Sequence, residues 1–159
     1  MMQANDVLRR LRYALNLRDE QVAEMMNQVG GQVTPWYVTC LLLPEDHADA
    51  VECSPAELER VLDGLIMARR GPPDPSRPAY PRAGNALTNN DVLKKCRIAL
   101  TLKDSDILRI LAANGLLMRA PELNALFRNP GHKNYRECGD QLLRKFLRGL
   151  AVGPPKKDR

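Results

Sequence analysis

Apolar residues recur at intervals of three and four along most of the chain, the period of an amphipathic helix rather than a strand. From about Asn5 to Asn16, Leu8, Leu11 and Leu15 share one helical face. A second helix is expected from Asp19, whose carboxylate can accept from unpaired first-turn amides, to Gly30, where glycine tolerates a left-handed cap. A third follows Thr34-Pro35, with proline in the first turn where its missing N–H is harmless, and should end near Leu43. A polar loop then runs to Cys53. Ser54-Pro55-Ala56-Glu57 aligns an N-cap serine, a first-position proline and a capping glutamate, and the helix it opens carries Leu58, Val61, Leu62 and Leu65.

The same pattern then occurs again. Residues 5–65 realign without a gap onto 90–150, every position displaced by 85, with 18 identities in 61 positions. Asn5-Asp6-Val7-Leu8 returns as Asn90-Asp91-Val92-Leu93; Arg12 and Asp19 return as Arg97 and Asp104. Gly30, His47, Glu52, Cys53 and Gly64 return as Gly115, His132, Glu137, Cys138 and Gly149. Identities concentrated at helically spaced sites mark an internal duplication. Helices are therefore expected again over about Asn90 to Thr101, Asp104 to Gly115, from Ala120-Pro121-Glu122 to near Arg128, and through Leu143, Phe146, Leu147 and Leu150. Thr88-Asn89-Asn90-Asp91 has capping-box spacing, with Asp in place of Glu.

The expected fold class is all-α, a tandem duplication of a four-helix repeat. The domain reading is a first repeat at 1–70, a Pro-rich linker at 71–86, a second repeat at 87–152 and a flexible tail at 153–159. The stretch from Gly71 to Arg82 holds five prolines and little that can enter a core. A repeat of roughly 65 residues is near the lower limit for a self-sufficient core, so the repeats are expected to pack together through their first and fourth helices with approximate internal symmetry.

Composition narrows the class. The N-terminus lacks a basic segment followed by an apolar core, and no apolar run has the length of a membrane span, so a cytoplasmic protein without a membrane partner is expected. Cys40, Cys53, Cys96 and Cys138 form no Cys-x-x-Cys pair, which fits reduced thiols. The net charge of +5 conceals an asymmetry: residues 1–70 hold 7 basic and 11 acidic side chains, whereas 87–152 hold 12 and 6. An acidic repeat and its basic copy can attract each other, favour association between chains, or reserve one repeat for a polyanion.

Asn90-Asp91-Val92-Leu93-Lys94-Lys95 and the run Gly131-His132-Lys133-Asn134-Tyr135-Arg136-Glu137-Cys138-Gly139-Asp140-Gln141-Leu142-Leu143-Arg144 resemble the YehS-like family of bacterial proteins, a domain-of-unknown-function family built from two such repeats. The second repeat is nearer the family pattern than the first, where Glu45-Asp46-His47-Ala48-Asp49-Ala50-Val51 departs from the basic, tyrosine-containing loop. The resemblance implies an all-α bacterial cytoplasmic protein and supplies no catalytic residue.

Candidate chemistry centres on the second repeat. His132, Lys133, Asn134 and Arg136 crowd one loop, where cationic groups supply charge and Asn supplies orientation for a phosphate or carboxylate. Lys94, Arg97, Arg144, Lys145 and Arg148 extend the basic set onto the first and fourth helices. With seven aromatic residues in the chain, duplex or backbone recognition is favoured over base stacking. The repeated His-x5-Cys pair supplies two zinc ligands per repeat at no standard finger spacing, and buried Cys with hydrogen-bonded His is the simpler reading. His132, Glu137 and Cys138 admit a Cys-His nucleophile, but nothing marks an oxyanion hole. The second and third helices of the first repeat can be drawn as helix-turn-helix, yet the supposed reader ends Leu41-Leu42-Leu43 and suits packing better. No catalytic residue, metal or cofactor is expected. The expected function is a non-catalytic binding protein whose basic second repeat contacts nucleic acid or another polyanion. The alternative is a protein-protein adaptor using exposed helix faces and the 131–140 loop, with nucleic acid or an acidic protein as partner and the oligomeric state open.

Overall fold

The computed structural model describes residues 1–76 and 86–152, with backbone alone for Val152. The expected linker between Ser76 and Ala86 and the expected tail at 153–159 lie outside the described residues. The described residues form eight α-helices and no strand: α1 Ala4–Leu15, α2 Asp19–Gln28, α3 Pro35–Leu42, α4 Pro55–Arg70, α5 Asn89–Leu100, α6 Asp104–Ala113, α7 Ala120–Leu126 and α8 Asp140–Val152. Each of the last four starts 85 residues after its counterpart. Residues 2–76 fall in one compact unit and 86–152 in another.

Short-range chemistry sets the boundaries. Ser54 Oγ accepts the Glu57 N–H at 3.1 Å while the Ser54 N–H donates to Glu57 Oε1 at 3.0 Å, a reciprocal cap that starts α4. Thr88 and Asp91 make the same exchange at α5, at 3.2 and 2.9 Å. Beyond α2 and α6, Gly30 (φ 93°) and Gly115 (φ 81°) take the left-handed conformation. They let the Gly31 and Leu116 amides reach back to Met26 O and Leu111 O, each at 2.9 Å.

The starts of α2 and α6 differ from expectation. Arg18 and Lys103 occupy the cap positions, and their N–H groups donate to Gln21 Oε1 and Asp106 Oδ2, each at 2.8 Å. Asp19 and Asp104 sit one residue inside. The tight preceding turn brings the last-turn arginine of α1 or α5 within reach, and a charged partner draws the carboxylate: Arg12 Nε lies 3.2 Å from Asp19 Oδ1 and Arg97 Nη2 lies 2.8 Å from Asp104 Oδ1.

The two cores match. Val7, Leu8, Leu11, Val22, Met26, Leu41, Leu58 and Leu62 are buried in the first repeat; Val92, Leu93, Cys96, Ile107, Leu111, Leu126, Leu143 and Leu147 stand at the corresponding positions of the second. Leu15 and Leu100, expected on the buried face, are half-buried because each ends its helix before a left-handed cap, at Asn16 and Thr101. The fully buried places beside Leu8 and Leu93 go to Val7 and Val92. Helix pairs α2/α4 and α6/α8 pack closely at Gly64 and Gly149. A methyl on Gly64 would collide with the Met25 carbonyl, whereas one on Gly149 would meet chiefly the Ile110 side chain.

Candidate functional site

The loop joining α7 to α8 is held from below by Asn90, helped at its end by Asn89, whose Nδ2 donates to Cys138 O at 3.0 Å and to Asp140 Oδ1 at 2.7 Å. Asn90, buried in the first turn of α5, donates through Nδ2 to Leu126 O and Arg136 O, each at 2.9 Å, and accepts the Cys138 N–H on Oδ1 at 2.9 Å. These bonds fasten the start and the end of the loop to α5. Asn5 repeats the arrangement, donating to Leu41 O and Val51 O at 2.9 Å and accepting from Cys53 N–H at 2.8 Å. The Arg136 N–H also donates to Ala125 O at 3.0 Å, as the Val51 N–H does to Cys40 O.

Inside the clamped loop the repeated histidine shapes a turn. The His132 N–H donates to Asn129 O at 2.8 Å, the Tyr135 N–H to His132 O at 2.9 Å, and the Asn134 N–H to His132 Nδ1 at 3.0 Å. His47 does the same with Pro44, Ala50 and Asp49. The repeated cysteine lies beneath: Cys138 Sγ donates to Gly139 O at 3.6 Å and Cys53 Sγ to Ser54 O at 3.5 Å. Burial pushes both thiols up to about 12. Among the described residues no group of three or more His, Cys, Asp or Glu side chains is placed to hold a metal ion.

The outer surface is where the copies diverge. His132, Lys133, Asn134 and Arg136 are exposed together on the loop. Arg144 and Lys145, half-buried, and Arg148, exposed, follow the outward strip of α8 at spacings of three and four. At the equivalent positions of the first repeat, Glu59 and Asp63 replace Arg144 and Arg148, Ala48 replaces Lys133, Asp49 replaces Asn134 and Val51 replaces Arg136. On the fourth helix the charge is reversed at these two positions and kept at a third, where Arg60 stands for Lys145.

Lys94 and Arg97 lie on α5 rather than on the loop or α8. Arg97 is engaged within its own repeat: it pairs with Asp104 and its guanidinium stacks on the Phe127 ring, 4.6 Å from the centroid. Arg12 and Asp19 repeat the ion pair, so this arginine joins helix to turn in both copies. A group that the sequence marked only as a helix end, and not as a site residue, is Arg128, exposed just past α7, with Nη1 3.2 Å from His132 Nε2. Its signal was the replacement of apolar Leu43 by arginine at the equivalent position. An open groove of about 420 Å³ at the α1–α2 turn, lined by Arg12, Tyr13, Leu17 and Glu20 among others, involves none of the candidate residues.

Two segments, residues 4–71 and 89–153, match a family model described as "Protein of unknown function (DUF1456)". The chain belongs to this family. It is 41% identical over 151 residues to "Uncharacterized protein YehS" of Escherichia coli (strain K12), an alignment spanning 95% of this chain and 96% of the relative. No solved structure matches. The two DUF1456 segments coincide with α1–α4 and α5–α8, so each match covers one four-helix repeat. Among the described residues no helix is long and apolar enough to cross a membrane.

Proposed function

We propose that the second repeat is a non-catalytic binding module for a polyanion, with nucleic acid as the leading class, and that it acts in the cytoplasm. The observation that carries this reading is the inversion of charge on an unchanged frame. The fourth helix presents Glu59 and Asp63 in one copy and Arg144 and Arg148 in the other, while the buried positions stay apolar. A strip of arginines and lysines with regular helical spacing can track phosphates without reading bases. Lys133, Asn134 and Arg136 add donors from a loop that Asn90 holds in shape, which lowers the ordering cost of binding. Lys94 extends the basic character of α5, and Arg97 supports the fold beneath it. The non-catalytic reading is supported by Cys138, whose thiol is buried and held protonated, opposite to what a nucleophile requires.

The test replaces Arg144→Glu together with Arg148→Asp, installing the residues the first repeat uses at those positions. Duplex affinity should fall at least about tenfold and the salt slope should drop by roughly two. Wild-type protein that fails to bind duplex or single strands at low salt, or a double variant that binds unchanged, overturns the reading. The adaptor alternative would use exposed helix faces, on which Tyr13 of α1 and Trp36 of α3 are 80% and 61% exposed, together with the 131–140 loop. It requires capture of a protein partner that survives high salt and nuclease.

A further inference from the structure

His132 and Arg128 meet in a way that an intramolecular hydrogen bond does not satisfy. Because His132 Nδ1 accepts the Asn134 N–H, the proton of the neutral ring resides on Nε2. The atom facing Nε2 at 3.2 Å is Arg128 Nη1, which can only donate. Two N–H donors thus stand side by side on the exposed loop, and protonating the ring keeps both while also turning Nδ1–H toward the Asn134 N–H. An acceptor oxygen resolves the conflict by accepting from both, and beside a guanidinium an oxygen carrying negative charge does so most strongly.

The surroundings favour an anion. Residues 123–136 hold Arg128, Lys133 and Arg136 and no acidic side chain, with Glu137 following at the loop's end, whereas the equivalent 38–51 contain Glu45, Asp46 and Asp49. The C-terminal carbonyls of α7, which would repel an anion, are already occupied: Asn124 O accepts from Phe127 N–H, Ala125 O from Arg136 N–H and Leu126 O from Asn90 Nδ2. In the first repeat Leu43 stands where Arg128 does, so His47 has no such neighbour. We propose that Arg128 and His132 form a phosphate-oxygen site in which Nη1–H and Nε2–H donate to one oxyanion, with Lys133 beside them adding charge. For a macromolecular ligand the site rests on the polyanion reading above; for a small phosphate it stands alone.

The test uses the full chain, labelled with ¹⁵N, and two probes at constant ionic strength with chloride as control: inorganic phosphate, and a short mixed-sequence DNA duplex. The readouts are the His132 Nε2 resonance and duplex affinity by anisotropy. Arg128→Leu copies the residue of the first repeat, and unchanged Tyr135 and Arg136 amide shifts certify that the loop remains formed. Phosphate should move His132 Nε2, and Arg128→Leu should abolish that movement. If the ligand is a nucleic-acid backbone, the variant also loses about tenfold in duplex affinity, the scale of one charge-assisted contact. Movement by phosphate without duplex binding supports the site with a small phosphate ligand and sinks the polyanion reading. Duplex binding that Arg128→Leu leaves intact, with Nε2 unmoved by phosphate, overturns the site while the polyanion reading survives.

Discussion

Replacing Asn90 with alanine removes three hydrogen bonds at once, and two of them, to Leu126 O and from Cys138 N–H, are buried. A buried backbone group left without a partner costs about 1–3 kcal/mol, while the partly exposed Arg136 O can recruit water at little loss. The expected destabilisation is about 3 kcal/mol, a large share of the roughly 5–15 kcal/mol that a domain possesses. Asn90→Asp separates hydrogen bonding from packing, because its volume is nearly that of Asn. It retains acceptance from Cys138 N–H but turns a charged oxygen toward two carbonyl oxygens, so at neutral pH it should be at least as damaging as alanine. Urea unfolding by circular dichroism gives the energies, and amide exchange at Cys138 locates the opening. Asn5→Ala is the matched case in the first repeat, reported by fluorescence of Trp36, the chain's single tryptophan. An Asn90→Ala loss below about 1 kcal/mol, or an Asn90→Asp variant as stable as wild type, would refute the clamp as a major source of loop stability.

Gly64→Ala should destabilise more than Gly149→Ala, since its methyl meets the Met25 backbone whereas the other meets mainly a movable Ile110 side chain; denaturation midpoints that are equal or reversed contradict this. Cys53, Cys96 and Cys138 have folded pKa values raised to about 12, so their stabilising contribution is complete below the unfolded thiol range and is lost as pH rises toward 12. Native protein at pH 8 should therefore resist alkylation at these three thiols, and labelling should follow unfolding; rapid native labelling of Cys138 would reopen nucleophilic chemistry there. The charge-swap pair at Arg144 and Arg148 and the Arg128→Leu variant complete the set, with the outcomes stated above.

Helix starts were legible because their determinants are local. Ser54 with Glu57 and Thr88 with Asp91 are complete within four residues, and the 85-residue displacement carried each start from one copy to the other. The role of Asn5 and Asn90 was not legible, although both were recognised as identities. A polar residue in a first helical turn reads as surface, and its acceptors lie 36 and 46 residues away. Arg97 shows the same limit in charge: a cation on an amphipathic helix reads as available, and only the fold brings Asp104 and Phe127 against it. Arg128 was legible only as a helix end, because its place at the site depends on which nitrogen of His132 carries the proton. The loop turn settles that matter, and composition does not.

Asn90 grips the loop entirely through main-chain atoms, Leu126 O, Arg136 O and Cys138 N, and Asn5 grips its own loop likewise. Such a fastening is blind to most side chains between its ends. After the duplication, mutation was therefore free to rewrite the intervening residues, apart from the turn-forming histidine, without losing the shape that presents them. Each repeat amounts to a fixed socket with an interchangeable insert, whose residues can change while the helices beneath stay as they are.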